Sequence, residues 1–321
     1  MFGDNPFELK NILKYWVRND VNKDQREIMK LLTGSNDSDG DIHVIPTDTV
    51  YITIDKEAVK KSGMMMASDS IPDQMVISLK GKNALYKGDL MMLEIISQCN
   101  WTRPIFVALT VGSENYMNLG DNFVQEGLVN RITPFTTNAP GAKNFDTKRS
   151  YDHLMHQFKF GGLDKKGIYL DETIMRMCFT HRRIFVQLAM NLMNENQNKK
   201  AAEVLAYIDK NVPEYNVPID YQSGSLDEAR VYAALGQKAK AMRIIKQLWT
   251  KSQQYINWYC SLDGMRFASA QNECMLHFYI LQQVTMLASQ TEPAWGDQKM
   301  KELDNLVNAY RNKGGAFASD K

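Results

Sequence analysis

Two stretches of this chain repeat one pattern of small and large apolar residues. Phe185, Ala189, Leu192, Ala201, Leu205, Ile208 and Pro213 fall in order in the first, and Ala229, Tyr232, Gly236, Ala241, Ile245 and Leu248 fall at the same relative offsets in the second. Small residues let two antiparallel helices approach, and larger ones fill the gap to the next pair. The pattern therefore predicts stacked helical hairpins over 185–213 and 225–249. From Ala189 to Ala201, and from Ala229 to Ala241, the interval is twelve residues, which fixes the hairpin register. Asn196 and Gly236 take matching places, and both residue types tolerate a left-handed turn. Such surfaces bind or brace something and seldom perform chemistry. A third hairpin, near 268–288 and 296–310, lacks the small-residue pattern and reads as a cap.

The rest of the C-terminal half is helical as well. A short helix at 151–158 is stopped by Gly161 and Gly162. Asp171 and Glu172 open the next helix favourably for its dipole, and Ile174, Cys178, Phe185, Leu188, Ala189 and Leu192 then form one apolar stripe. The N-terminal half changes period. Phe7, Ile12, Leu13, Trp16 and Val17 recur at helical spacing, as do Ile28, Leu31 and Leu32 after a polar break. Val50, Ile52 and Ile54 alternate with polar neighbours as in a half-buried strand, and so do Met75, Ile77 and Leu79. A helix follows over 90–98, with Asp89 as its N-cap. The apolar run 104–109 suits a strand covered on both faces. Strand, helix, strand in that order suggests a right-handed crossover with a parallel pair. The segment 124–132 reads as either a strand or a short helix.

At 321 residues the chain has material for about two domains. We expect an α/β N-terminal domain with N-terminal helices over 1–146, an all-α helical-hairpin domain over 147–313 and a disordered tail over 314–321, the first ending in the Pro/Gly/Asn/Thr-rich connector 134–146. A net charge of +1 gives no global field for nucleic acid or an anionic membrane. No apolar run reaches the length needed to cross a bilayer, and the first ten residues are too polar for a secretory signal. Four scattered cysteines without a C-x-x-C pair support neither a disulfide framework nor a zinc site.

Catalytic motifs are missing: there is no H-E-x-x-H, P-loop, G-x-S-x-G or G-x-G-x-x-G. Asp37, Asp39, Gly40 and Asp41 miss the calcium-loop register. No cofactor and no metal is implied. Arg176, His181, Arg182 and Arg183 concentrate positive charge on one helix, which suits an anionic partner, or else internal salt bridges. Trp101, Arg103 and Tyr116 follow or flank the apolar strand and suit a cleft at its carboxyl edge, or packing. Asn100-Trp101-Thr102 fits an N-glycosylation sequon, while Asp48-Thr49-Val50 and Asp69-Ser70-Ile71 fit an O-glycosylation triplet.

Several segments together resemble the soluble C-terminal region of a multi-spanning membrane protein family of Bacteroidetes. That family, a domain of unknown function, is related to the protein O-mannosyltransferases and has a eukaryotic transmembrane relative. The resembling segments are YITIDKEAVKKSG at 51–63, Leu79 to Gly81 followed by 89–93, NWTRPIFVA at 100–108, Glu126-Gly127-Leu128, FKFGGL at 158–163 and YLDETIMRMCFTHRR at 169–183. The hairpins that follow resemble tetratricopeptide repeats. The resemblance implies a periplasmic location, tethered through a membrane-embedded N-terminal domain that this chain lacks, and it carries no catalytic residue over.

The expected role is a non-catalytic accessory module that binds acceptor polypeptide or a partner subunit and no nucleic acid. Its contacts are expected at Trp101, Arg103 and Tyr116 at the domain junction and at Arg176, Arg182 and Arg183 on the connecting helix. Charge reversal at Arg182 and Arg183 is expected to weaken capture without loss of fold. The rival readings are a free-standing glycan- or nucleotide-acting enzyme with an interdomain site, and a scaffold whose concave face is filled by its own chain.

Overall fold

The computed structural model describes residues 6–18, 45–66, 70–138 and 142–317, with Glu27, Lys30, Leu31 and His43. Ile28 and Leu32 of the expected second helix, the acidic loop 34–41, Asp69, part of the connector at 139–141 and the end of the tail lie outside the described residues. The chain divides into two compact units, Met1–Ser150 and Tyr151–Lys321.

The first unit contains two small sheets. β1 (Phe7–Glu8) runs into α1 (Leu9–Ile12), which widens into a π turn over Leu13–Val17. β2 (Thr49–Thr53), α2 (Lys56–Lys61), β3 (Gln74–Ser78) and α3 (Lys87–Gln98) follow. The alternation read in the sequence is the alternation of burial: Val50 stands opposite Ile77 and Ile52 opposite Met75, all buried, in an antiparallel pair that β1 extends in parallel. Leu9 and Ile12 of α1, Val59 of α2, and Leu93 and Ile96 of α3 pack into the same core.

Three expectations for this unit are corrected. α3 begins at Lys87, so Asp89 is its third residue rather than its cap. The Asp89 Oδ2 reaches back to accept the Tyr86 backbone N–H at 2.9 Å while Oδ1 accepts from Lys82 Nζ at 3.0 Å, a carboxylate serving the exposed N-terminal donors. The strand after α3 does not return to β3. β4 (Ile105–Ala108), β5 (Phe123–Glu126) and β6 (Val129–Ile132) form a separate antiparallel sheet in the order β4-β6-β5. Asn100 and Trp101 both take left-handed backbone angles (φ 46° and 56°) and turn the chain at the end of α3. The β5–β6 hairpin, closed at Gly127 (φ 63°), then offers β4 a partner nearby in sequence, at a smaller loop-closure cost than a crossover. β4 is also not covered on both faces: Phe106 is exposed while Ile105 and Val107 are half-buried, as befits the edge of an antiparallel sheet. The undecided segment 124–132 is thus a hairpin. Residues 146–150 stay with this unit, because Ser150 Oγ accepts the Gly127 N–H at 3.1 Å and Asp146 lies against Arg131.

The second unit is helical: α4 (Thr147–Asp152) leads into it through a π turn, and α5 (Glu172–Asn194), α6 (Asn198–Asn211), α7 (Ser225–Ala234), α8 (Lys238–Ser261), α9 (Gly264–Ser269), α10 (Gln271–Thr291) and α11 (Pro293–Asn312) follow. Asp171 caps α5 by accepting the Ile174 N–H at 2.8 Å. α5 packs on α6, α7 on α8, and α10 on both α8 and α11. Ala189, Ala201, Ala229 and Ala241 are fully buried. The two interhelix turns repeat bond for bond. Asn196 (φ 59°) and Gly236 (φ 75°) are left-handed, and the N–H groups of Gln197 and Gln237 reach Leu192 O and Tyr232 O, each at 2.8 Å. This is the six-to-one closure that satisfies carbonyls at a helix end. The third pair does use a small residue, contrary to expectation. A Cβ on Gly296 would lie 2.5–2.6 Å from Ser289, so α11 approaches α10 almost backbone to backbone there. Among the described residues no helix is long and apolar enough to cross a membrane.

Candidate binding groove

Helical spacing places one stripe from each of three helices along a common groove in the second unit. α5 contributes Arg176, Phe179, Thr180 and Arg183, α7 contributes Leu226, Asp227 and Arg230, and α10 contributes Leu276 and Tyr279, around a space of about 610 Å³. The intervals of three, four and seven residues are those of a single helix face. The groove continues past Arg230 into a space of about 430 Å³ bounded by Ala233, Lys238, Gln283, Met286 and Gln290. Beyond Lys238 and Thr291 lies a third, of about 480 Å³, beside Met242, Arg243 and Lys246 of α8.

Arg230 spans the groove, donating to Asp227 at 2.6 Å and to Gln283 Oε1 at 2.8 Å. Tyr279 is 47% exposed and Met286 50%, and Tyr221 meets Tyr279 edge-on at 6.4 Å between ring centres. Leu276, Tyr279 and Met286 thus leave apolar surface in solvent along one helix face, rimmed by charge.

A buried charged cluster holds the helices that bear these stripes. Arg182, only 2% exposed, donates from Nη2 to the carbonyls of Val212 at 2.6 Å and Val217 at 3.1 Å, pinning the segment between α6 and α7. Its Nη1 lies 3.9 Å from Glu228, which is fully buried and whose carboxyl oxygens accept no hydrogen bond. Tyr232 donates to the nearby Asp209 at 2.6 Å. Burial pushes the Glu228 carboxyl up to about 7, with Arg182 pulling it down and Asp209 pushing it further up. Folding therefore tightens the proton on Glu228. The resulting stabilisation is complete below the ordinary value of 4.5 and is lost as pH rises through about 7. Raising the pH across that window is expected to lower helical-unit stability by up to about 1.4 kcal/mol per pH unit. Glu228→Gln should flatten the slope. Urea midpoints followed by far-UV circular dichroism at several pH values measure it, and an unchanged slope in the variant would remove Glu228 as the source.

Of the six residues singled out from sequence, Arg176 and Arg183 line the groove, and both are exposed. Arg182 faces inward and is closed to any ligand. The expectation that it binds a partner and tolerates charge reversal is corrected: adjacent residues on a helix point about 100° apart, so Arg182 and Arg183 cannot share a face. Burial lowers the His181 pKa, which disfavours its charged form. Trp101 is 1% exposed and Tyr116 half-buried, and both pack in the first unit's core, Tyr116 against Phe123 at 4.9 Å. Only Arg103 of that trio is exposed. Sequence reading missed Tyr221, Arg230, Lys238 and Tyr279. The signal that marks α10 is its stripe of Leu276, Tyr279, Gln283 and Met286, where large apolar residues recur on one helix face and stay exposed.

Residues 2–149 match the family model described as TMEM260-associated domain 2. The matched segment is nearly coextensive with the first compact unit and fits a domain of a TMEM260-like membrane protein family. The groove lies entirely in the helical residues that follow. No curated protein matches the chain, and no solved structure does. Among the described residues no group of three His, Cys, Asp or Glu side chains is arranged to hold a metal ion, and all four cysteines are free.

Proposed function

We propose that this chain is a non-catalytic accessory module of a TMEM260-like membrane protein, one resembling the protein O-mannosyltransferases, and that its helical unit takes a polypeptide in the groove between α5, α7 and α10. The polypeptide is the acceptor or a neighbouring subunit. The chain sits on the periplasmic side of the membrane, held there by the membrane-embedded part of the parent protein. The helix pairs are of tetratricopeptide type, with small residues at the close approaches and left-handed turns forty residues apart.

The observation that carries this reading is the groove itself: stripes from three helices with exposed Tyr279 and Met286, two of them linked by the Arg230–Gln283 hydrogen bond. A scaffold that fills its own concave face would leave no such space, and no described segment of this chain occupies it. Rigid helices presenting aromatic anchors are a recurrent means of holding peptide segments.

Selection of a random twelve-residue peptide library against the folded chain tests the reading. Enriched peptides are expected to lose about tenfold or more in affinity on Tyr279→Ala, as for an aromatic anchor at the centre of a contact. No enrichment, or enriched peptides indifferent to that substitution, would overturn it.

A further inference from the structure

The groove is markedly more cationic than the chain that forms it. Against a net charge of +1 for all 321 residues, Arg176, Arg183, Arg230, Lys238, Arg243 and Lys246 line it. The carboxylates among its lining residues are Asp227 and Glu292. Asp227 is held by Arg230 at 2.6 Å, and Glu292 lies 3.6 Å from Lys246. Arg176 and Arg243 pair with Glu172 and Glu214, outside the lining. Arg183 and Lys238 have no carboxylate partner among the described residues, and both are exposed. Arg183 lines the first space and Lys238 the two that continue it beyond the shared Arg230.

Between the charges the groove offers other chemistry. Gln222, Gln283 and Gln290 present side-chain amides that both donate and accept, as a peptide backbone requires. Leu276 and Met286 present apolar surface. Asp227 and Glu292 matter too: a phosphate backbone, charged at every unit, meets repulsion there, whereas a peptide whose carboxylates are spaced passes them. The α10 stripe from Leu276 to Gln290 spans fourteen helical steps, about 21 Å. That length holds about six residues of extended chain.

Resting on the reading of the groove as a polypeptide site, we propose that its occupant is an extended acidic segment, with Asp or Glu side chains met by Arg183 and Lys238 and aliphatic side chains seated between them. Charge complementarity selects this occupant over a neutral or basic one, and steers its approach.

The test is fluorescence anisotropy of the full chain with labelled twelve-residue peptides of one Leu/Gln framework, carrying four Glu, the same four as Gln, or four Lys. The Glu peptide is expected to bind at least tenfold more tightly than the Gln peptide, to weaken as salt is raised, and to lose at least tenfold on Arg183→Glu with Lys238→Glu. The milder pair Arg183→Gln with Lys238→Gln is expected to lose in the same direction, and neither pair should move the thermal midpoint, since both side chains are exposed. Equal binding of the Glu and Gln peptides overturns the acidic occupant and leaves the polypeptide groove standing. No binding by any peptide overturns both. Tighter binding of a twelve-nucleotide thymidine strand, or of phosphatidylglycerol vesicles, overturns the acidic occupant in favour of that anion.

Discussion

Arg182→Met is expected to destabilise the helical unit by about 3–5 kcal/mol, the scale for removing one partner of a buried ion pair. Methionine nearly keeps the volume, so the loss is chiefly polar. The carbonyls of Val212 and Val217 lose their donor, and Glu228 loses its counter-charge where no water reaches it. The proton on Glu228 makes the loss depend on pH. Without Arg182 that carboxyl stays protonated to higher pH, so the penalty should grow above pH 7 by at most about 1.4 kcal/mol per unit. The double variant with Glu228→Gln is expected to be less destabilised than Arg182→Met alone. Urea unfolding followed by far-UV circular dichroism reads all three, the helical unit dominating that signal. A loss below about 1 kcal/mol would mean that the pinned segment 212–217 holds without the arginine.

The first unit has its own buried cation. Arg131, 1% exposed, bonds Glu126 and lies 3.3 Å from Asp146, joining the β5–β6 hairpin to the start of α4. Arg149 approaches the same two carboxylates at 3.6 and 3.7 Å but is a third exposed. Arg131→Met should therefore cost about 3–5 kcal/mol, only partly offset by Arg149. Combining it with Glu126→Gln should restore part of the loss, because one fewer buried charge is stranded. Hydrogen exchange of the β5 and β6 amides reports the unfolding of this unit, since tryptophan fluorescence would mix Trp101 with Trp249, Trp258 and Trp295 of the helical unit. A double variant no more stable than the single would sink the account, since it would mean that the carboxylates are hydrated without the arginine.

The two predictions show where sequence reading stops. The alanine positions, the left-handed Asn196 and Gly236, the acidic start of α5 at Asp171 and the alternation in β2 and β3 were all legible, because each is a local requirement of one element or one tight turn. Arg131 was not singled out, and Arg182 was assigned to a surface. A buried arginine looks like an exposed one in sequence, since only the carbonyls and carboxylates gathered around it from distant segments make burial tolerable. The same limit explains Trp101 and Tyr116, whose aromatic character suits a cleft as well as a core. β4 failed for a related reason: its composition fits a parallel strand, but the partner it pairs with is chosen by the hairpin that follows.

By itself the sequence determined the helix pairs and their register, since twelve-residue spacing and small side chains act through the geometry of one helix. It also determined the half-buried strands of the first unit, through a period of two. The tertiary structure alone decided which cations face solvent, which sheet β4 joins, and that stripes from α5, α7 and α10 meet along one groove. Those outcomes depend on contacts between residues far apart in the chain, where burial and charge pairing, rather than local periodicity, set the free energy.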